Sequence, residues 1–401
     1  MARLYLLYIA VLFGPLSGSA VITLIRPFTE TFQVDLFTAS LAITVYTIPF
    51  GLTQLFSGPI ADAFSKKYTL ITGLALFGFT TILVALSPTI EVLFVTRFIQ
   101  GMFGAFQIPV IIAIIGESND KNRGEAFGKL SVFINLGLAV GPFIAGLFES
   151  FFSWRDFFIL LGLFGILTSI SLVFLFDYEE TQKNKTDTFR MKSRRTLSFL
   201  YTVISNVQVQ IFAVATMIGF IGMVTTYVFV TTFLIDNGYD QAIASIPVTM
   251  AGIVGIFFGT SSGKSVDKFG RKTILFLGMF VAIFAEISLI LLLEIDIFDL
   301  FISSVILMLI IGLANVFVSA SANTIATEII PDLKATVASY AGVLRFLGFA
   351  LIPFFSPIYL LYGFNSLMLF SVFLIITGIL LIIPLRLYKV EENQEFSDIS
   401  P

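Results

Sequence analysis

Residues 177–198, DYEETQKNKTDTFRMKSRRTLS, form the only long and highly charged stretch before the C-terminus of this chain. On each side of it lie windows of about 20 mostly apolar residues, the length that crosses a bilayer as a helix. Six precede it: 4–25, 36–61, 68–90, 98–116, 130–148 and 157–176. Six follow it: 205–232, 241–263, 272–293, 300–325, 335–361 and 364–386. The sequence therefore predicts an all-α membrane protein with twelve transmembrane helices.

The composition agrees with a protein that faces hydrocarbon. Hydrophobic residues make up 57% of the 401 residues and charged residues only 12%, against about 25% charged in a soluble domain. The net charge of −3 gives no reason to expect a nucleic-acid partner. The chain has neither cysteine nor histidine, and no paired acids lie within the predicted spans. We therefore expect no enzyme activity, no metal site and no cofactor.

Equal numbers of spans on the two sides of one polar segment indicate duplicated halves. We predict an N-terminal six-helix bundle over residues 1–176 and a cytoplasmic linker over 177–199. A C-terminal six-helix bundle follows over 200–390, and a cytoplasmic tail over 391–401. The two bundles are expected to be pseudo-symmetric.

The distribution of the 23 basic residues predicts the orientation, because basic loops stay on the cytoplasmic side. With both termini inside, only Arg26 and Arg155 fall outside, while Arg97 and Arg345 fall within the membrane. All the other basic residues then lie on the inner face. We predict a multi-pass protein of the plasma membrane with both termini in the cytoplasm.

Two loops of similar sequence follow the second span of each half, about 205 residues apart. The first contains Gly58, Asp62, Lys66 and Lys67, and the second contains Gly263, Asp267, Gly270 and Arg271. The pattern resembles the Gly-x-x-x-Asp-Arg-x-Gly-Arg-Arg loop of the major facilitator superfamily. The second copy matches it in full, whereas the first has Ala63 in place of a base and Ser65 in place of glycine. A small residue in this loop would let neighbouring helices approach closely.

Two further motifs resemble the same family. Arg97 and Gly101 in the fourth span resemble its Arg-x-x-x-Gly element, and Gly137, Gly141 and Pro142 in the fifth resemble the Gly-x-x-x-Gly-Pro signature of its antiporters. The resemblance covers the whole chain. It implies the twelve-helix major facilitator fold, transport by alternating access, and drug efflux in exchange for protons. It also implies a small-molecule substrate, a proton or other coupling ion, and a monomer in the lipid bilayer.

The charged residues inside the spans are the first candidates for function, because such residues are costly in a bilayer. Arg97 is interpreted as a substrate or proton-coupling residue facing the cavity, with a structural arginine that pins the fourth span as the alternative. Arg345 is interpreted as a structural arginine that reaches the cytoplasmic surface. Glu286 is a candidate proton site, although the resemblance places its helix at the periphery, which favours a neutral acid packed between helices.

Uncharged polar residues on the helices that line the cavity in this family are candidates for its wall: Gln107, Gln208, Gln210, Asn315 and Asn323. Each has an alternative role as a hydrogen-bonding contact between helices. The 47 phenylalanines are expected to face lipid or to fill helix packing, and no aromatic substrate site is predicted.

The leading functional hypothesis is efflux of a small neutral or amphiphilic organic compound in exchange for protons. The first alternative is uptake of an anionic metabolite with Arg97 as its counter-ion. The second is a membrane receptor or scaffold that transports nothing.

Overall fold

A computed structural model describes residues 2–117, 123–176, 199–295, 299–330 and 333–384. The predicted linker and tail, and Lys121 in the predicted second cytoplasmic loop, lie outside these residues. The helices of the N-terminal half are α1 (Ala2–Phe32), α2 (Leu36–Ala63), α3 (Lys66–Ala85), α4 (Ile90–Gly104), α5 (Gln107–Glu117), α6 (Arg123–Phe151) and α7 (Trp154–Leu175). Those of the C-terminal half are α8 (Val207–Asp236), α9 (Gln241–Phe269), α10 (Arg271–Ile295), α11 (Leu300–Ile329), α12 (Lys334–Phe349) and α13 (Ser356–Ile382), with a 3₁₀ turn at Ile352–Phe355.

Eleven helical stretches within the described residues are long and apolar enough to cross a membrane. The last of them, Thr336–Ile382, has 47 residues, or about 70 Å of helix, more than twice the apolar thickness of a bilayer. It is interrupted at Gly363, whose φ of 82° and ψ of 175° are not helical. This stretch therefore crosses twice, with its turn at the predicted Tyr362–Asn365 connection. The count of twelve spans and the all-α fold are confirmed.

The predicted boundary between the third and fourth spans is wrong. The third helix ends at Ala85 and the next begins at Ile90, whereas charge-free windows placed these limits at 90 and 98. Pro88 lies in the connection, and the Thr89 side chain accepts a hydrogen bond from the backbone N–H of Val92 and so caps α4. Glu91 in the first turn suits the positive end of the helix dipole. The fourth span therefore has one acid in its first turn, and α4 and α5 together form it as Ile90–Gly116.

The predicted fifth-span motif lies where α6 packs on α1. A Cβ atom added at Gly137 would lie 2.8 Å from the Leu12 carbonyl oxygen, and one at Gly141 would lie 2.7 Å from that of Leu16. Neither carbonyl can move without shifting α1, so the two backbones approach closely because no side chain separates them. Pro142 lies inside the same helix.

The two repeated loops differ in backbone conformation. Gly270, between α9 and α10, has a φ of 88°, which favours glycine. Ser65, at the equivalent place, is extended with a φ of −157°, so the first copy tolerates a serine. Asp267 is exposed and Arg271 forms an ion pair with Glu328 on α11. Gly263 does not mediate the close approach expected of it, because a Cβ atom there would meet nothing within 4 Å.

In the first loop, Lys66 is buried and Lys67 is partly buried at the start of α3. Gly58 and Asp62 lie in the last turns of α2.

Polar contacts join the two halves at one end of the molecule, here called the gate end and defined by Arg26, Ser150, Asp236 and Asp240. Arg26 on α1 pairs with Asp236 at 2.5 Å, and the Ser150 hydroxyl bonds the Asp240 carboxylate at 2.5 Å. The Trp154 indole donates to Thr31 at the same end. The loops predicted to be external therefore lie together, while α2 and α9 end at the opposite end.

Candidate functional site

A cavity of about 440 Å³ lies between the two halves. Its wall in the N-terminal half consists of Gly14, Pro15, Gly18, Ser19, Ile22, Tyr46, Thr47, Phe50, Ile108, Ile134, Asn135 and Leu138. Its wall in the C-terminal half consists of Phe220, Val224, Tyr227, Val248, Ala251, Gly252, Gly255, Gly259, Ser262, Gly312, Asn315, Val316, Ser319, Ala320, Phe346 and Phe349. Because both halves contribute, any change in their relative position changes the cavity.

No charged side chain occurs among these lining residues, and six of them are aromatic. The aromatic residues are Tyr46, Phe50, Phe220, Tyr227, Phe346 and Phe349. Hydroxyl and amide groups supply a few hydrogen-bonding positions, including Asn135 and Asn315. An apolar wall with a few polar groups is the usual composition of a small-molecule site.

The sequence analysis missed this aromatic wall, since it assigned the phenylalanines to lipid contact and packing. Helical spacing carried a signal for part of it. Tyr46 and Phe50 are four residues apart on α2, and Phe346 and Phe349 are three apart on α12, so each pair shares a helix face. The Phe50 and Phe346 rings meet across the two halves with centroids 5.5 Å apart.

Arg97 does not line the cavity, in contrast to the prediction. Its side chain is fully buried, and its guanidinium lies over the Tyr46 ring, 4.2 Å from the centroid. It donates to the Gln100 side-chain oxygen at 2.8 Å and to the Ser17 hydroxyl at 3.2 Å. Arg97 therefore lies one layer behind the cavity wall, and Tyr46 separates its charge from the cavity.

Gln107 is also buried behind the wall. Its side-chain oxygen accepts a hydrogen bond of 3.0 Å from the backbone N–H of Gly14, and its amide nitrogen has no partner among the described residues. Because Gly14 lines the cavity, Gln107 fixes α1 at the level of the site. Its position matches the alternative interpretation, a hydrogen-bonding contact between helices.

Of the remaining polar candidates, only Asn315 lines the cavity. Gln208 is exposed at the start of α8, and Gln210 accepts a hydrogen bond from the Tyr340 hydroxyl at 2.8 Å. Asn323 accepts one from Arg345 at 2.7 Å. These three lie towards the end opposite the gate, because the first turns of α8 and the last turns of α11 are located there.

Glu286 on α10 lies inside the C-terminal half, between α8 and α13. One carboxyl oxygen accepts hydrogen bonds from the Thr226 hydroxyl at 2.6 Å and the Ser371 hydroxyl at 3.0 Å. The other oxygen has no partner among the described residues. Thr226, which bonds the acid, is directly followed on α8 by Tyr227 of the cavity wall. The acid therefore lies close to the cavity without lining it.

Comparison with known proteins agrees with this architecture. The Multidrug resistance protein 1 of Bacillus subtilis (strain 168) is 30% identical over 169 residues, 41% of this chain and 43% of that protein. The Lincomycin resistance protein of Streptomyces lincolnensis is 29% identical over 159 residues, 39% of this chain and 33% of its own length. The Quinolone resistance protein NorA of Staphylococcus aureus (strain MRSA252) is 27% identical over 242 residues, 59% and 61% of the two chains. The matched segments thus span between about a third and three fifths of these relatives.

The family comparison covers more of the chain. The sequence profile described as Major Facilitator Superfamily matches residues 7–353, a range that extends over parts of both halves and includes every residue lining the cavity. The chain therefore belongs to the major facilitator superfamily, whose members are membrane transporters and not enzymes.

Proposed function

We propose that this transporter exports small, largely apolar organic compounds by alternating access, in exchange for protons. The observation that carries the proposal is the uncharged, aromatic cavity between the two halves, which are bonded to each other at the gate end. An aromatic wall binds an apolar body by burial of its surface and by ring stacking. The few hydroxyl and amide groups orient the compound without requiring a charge on it.

Alternating access would need the gate-end contacts to separate. They hold the halves together through Arg26–Asp236 and Ser150–Asp240, while Gly259 and Ser262 extend the cavity wall towards the other end of α9. With the gate end outside the cell, as the basic residues predict, this structure would be the state that loads substrate from the cytoplasm. Rocking of the halves would then expose the cavity to the outside.

The relatives support efflux of this kind. Their names refer to multidrug, lincomycin and quinolone resistance, and a cell can gain such resistance by exporting the compound. For this chain, a panel of neutral, anionic and cationic aromatic dyes would test the proposal in everted membrane vesicles. We expect accumulation of some of the dyes when a pH gradient is imposed, and much less without it.

Glu286 is the proton-carrying residue that this proposal favours. Among the described residues it is the one acid whose side chain is buried, and acids inside a span mark the proton pathways of many transporters. Its neighbours Thr226 and Ser371 are on different helices, so movement between α8 and α13 would alter its surroundings.

The two alternatives predict other results. Uptake of an anionic metabolite by Arg97 receives little support from a guanidinium that is enclosed behind Tyr46. A receptor or scaffold would move no compound when the purified protein is reconstituted in proteoliposomes. Transport of any dye by those liposomes would exclude that alternative.

The orientation is testable because the chain has no cysteine of its own. Cysteines introduced at the exposed positions Asp35 and Asn237 should react with an impermeant maleimide added outside whole cells. Cysteines at Lys185 and Lys268 should react only after permeabilisation. Labelling of position 185 in intact cells would reverse the orientation and the proposed direction of transport.

A further inference from the structure

Arg345 on α12 is a second arginine within the spans, and its surroundings differ from those of Arg97. Arg97 is fully buried and donates hydrogen bonds to four acceptor atoms. Arg345 is partly exposed, and its hydrogen bond is the one that it donates to the Asn323 side-chain oxygen at 2.7 Å. Among the described residues no carboxylate pairs with it. A guanidinium has five N–H donors, so most of those of Arg345 are available.

The Arg345–Asn323 pair lies at the edge of the cavity. Asn323 is four residues after Ser319 on α11, and Arg345 is four residues before Phe349 on α12. Ser319 and Phe349 both line the cavity. Four residues are about one turn of helix, or roughly 5–6 Å. The pair therefore lies at the edge of the aromatic wall, on the side away from the gate end.

Both members of the pair are next to residues of the cavity wall. Phe346, next to Arg345, is 37% exposed and belongs to the cavity wall, and Asn323 is exposed beside Ser319 and Ala320. A cation inside a span is costly unless water, a partner or a ligand solvates it. The Asn323 amide oxygen solvates one N–H group of the guanidinium, which leaves the other N–H groups for water or a ligand.

We propose that Arg345 and Asn323 form an anionic subsite, which binds the carboxylate of an aromatic amphiphile while the aromatic wall holds its apolar body. The inference rests on the proposed function in taking this cavity as the substrate site. A planar guanidinium group can bind a carboxylate through two parallel hydrogen bonds. Asn323 holds the guanidinium at the mouth and can donate its own amide N–H to the same group. Tyr46 screens Arg97 from this ligand, so Arg345 supplies the counter-ion.

The test uses 1-naphthylacetate and its neutral counterpart, 1-naphthylacetamide, which have the same apolar body. Binding of each probe to the full chain in phosphatidylcholine nanodiscs is measured by equilibrium dialysis at neutral pH. The wild-type protein should bind the acid at least about tenfold more tightly than the amide, the effect of one charge-assisted hydrogen bond. Arg345→Gln should reduce this ratio to about one by weakening the binding of the acid alone.

Two further variants keep the test independent of folding. Asn323→Asp places an acid beside Arg345 and should abolish the preference for naphthylacetate while the amide binds as before. Arg345→Lys keeps the charge without the planar fork and should retain part of the preference. Lys264→Gln is the control, since it removes an exposed cation near the same end of α9 and should leave the ratio unchanged.

The outcomes separate the two proposals. Equal binding of acid and amide by the wild-type protein would overturn the anionic subsite and leave the proposed function intact. If Arg345→Gln weakened the binding of both probes equally, so that the ratio of their affinities stayed the same, the subsite would also be overturned. The arginine would then have a structural role only. If the wild-type protein binds neither probe, the cavity is not a site for aromatic compounds, and the proposed function is contradicted together with the subsite.

Discussion

Arg97 shows, at the scale of the residue, how a buried cation can affect a cavity that it does not touch. Its guanidinium stacks on one face of Tyr46, and the Tyr46 hydroxyl donates to the Gly14 carbonyl at 2.9 Å. Tyr46 and Gly14 both line the cavity. The position of the ring, and through it the shape of the cavity wall, therefore depends on the arginine behind it.

Substitution of Arg97 should impair transport and stability together. Arg97→Ala leaves the Gln100 side-chain oxygen without its donor and removes one of the two donors to the Ser17 hydroxyl. It also opens a void behind Tyr46, at a cost of about 1–3 kcal/mol for the unpaired group. Arg97→Lys keeps the charge but cannot reach both partners in the same way, so it should retain only part of the activity. Dye efflux and thermal unfolding are measured on one preparation, with Lys264→Ala, which removes an exposed cation, as the control. A stable Arg97→Ala protein with normal efflux would remove Arg97 from the mechanism.

Glu286→Gln should uncouple transport from the pH gradient while the protein stays folded. The amide oxygen can still accept hydrogen bonds from Thr226 and Ser371, so the local packing is kept, but the side chain cannot exchange a proton. Efflux driven by an imposed pH gradient should fall to the level seen without one. Glu91→Gln, an acid in the first turn of α4, is the control and should respond to the gradient as the wild type does. Gradient-driven efflux in Glu286→Gln would assign proton coupling elsewhere.

The sequence identified the charged residues of the interior but not the cavity wall. Insertion cost identifies an intramembrane arginine or glutamate without indicating the direction of its side chain. Arg97 therefore could be found from the sequence, and its position behind Tyr46 could not. Phenylalanine has no such cost, since it is equally stable facing lipid, a neighbouring helix or an apolar cavity. Asn315 could be assigned to the wall because its helix belongs to the set that lines the cavity in this family.

At the scale of the element, α6 depends on the absence of side chains along its contact with α1. The Gly-x-x-x-Gly-Pro motif predicted this contact from residue type and helical spacing, which are local properties. The start of α4 was not predictable by the same means. A charge-free window cannot include Glu91 and Arg97, although Glu91 suits the first turn and Arg97 is solvated by Ser17 and Gln100 on neighbouring turns and helices.

Gly141→Leu should reduce both transport and stability through this contact. The new side chain begins 2.7 Å from the Leu16 carbonyl oxygen, so α1 must shift, at a cost of about 1–3 kcal/mol for overpacking. Pro15 and Gly18 on either side of Leu16 line the cavity, and the shift would reach the site. Gly128→Leu makes the same change on the same helix where nothing lies within 4 Å. Comparable efflux and melting temperature in the two variants would show that the α1–α6 contact is not limiting.

At the scale of the whole molecule, the halves are joined at the gate end and enclose the cavity below it. At this end the Asp236 carboxylate accepts two hydrogen bonds, one from Arg26 of the other half and one from the Tyr359 hydroxyl of its own half. The Asp240 carboxylate accepts a hydrogen bond from the Ser150 hydroxyl. It also caps the start of α9 by accepting a hydrogen bond from the Ala242 backbone N–H. Separation of the halves therefore also affects the ends of α8 and α9.

A cross-link across the gate should stop transport reversibly. Ser150→Cys with Asp240→Cys places two thiols where a hydroxyl and a carboxylate now bond, and the chain offers no other cysteine for them to pair with. Oxidation should abolish dye efflux, and reduction should restore it. Each single-cysteine variant, treated identically, should transport before and after oxidation. Continued efflux by the cross-linked protein would mean that the gate end need not open.

The turn at Gly363 has a consequence for how the chain enters the bilayer during synthesis. The segment Tyr362-Gly363-Phe364-Asn365 contains no charged residue. The ribosome therefore delivers a 47-residue, largely apolar stretch to the membrane, in which Arg345 is the one charged residue, without a charged loop to retain in water. The two spans are then expected to insert as one hairpin, oriented by Lys334 at its start. At a φ of 82° any other residue is strained, and a straightened segment is too long for a single crossing. Gly363 thus marks the place where the chain can turn between its last two spans without strain.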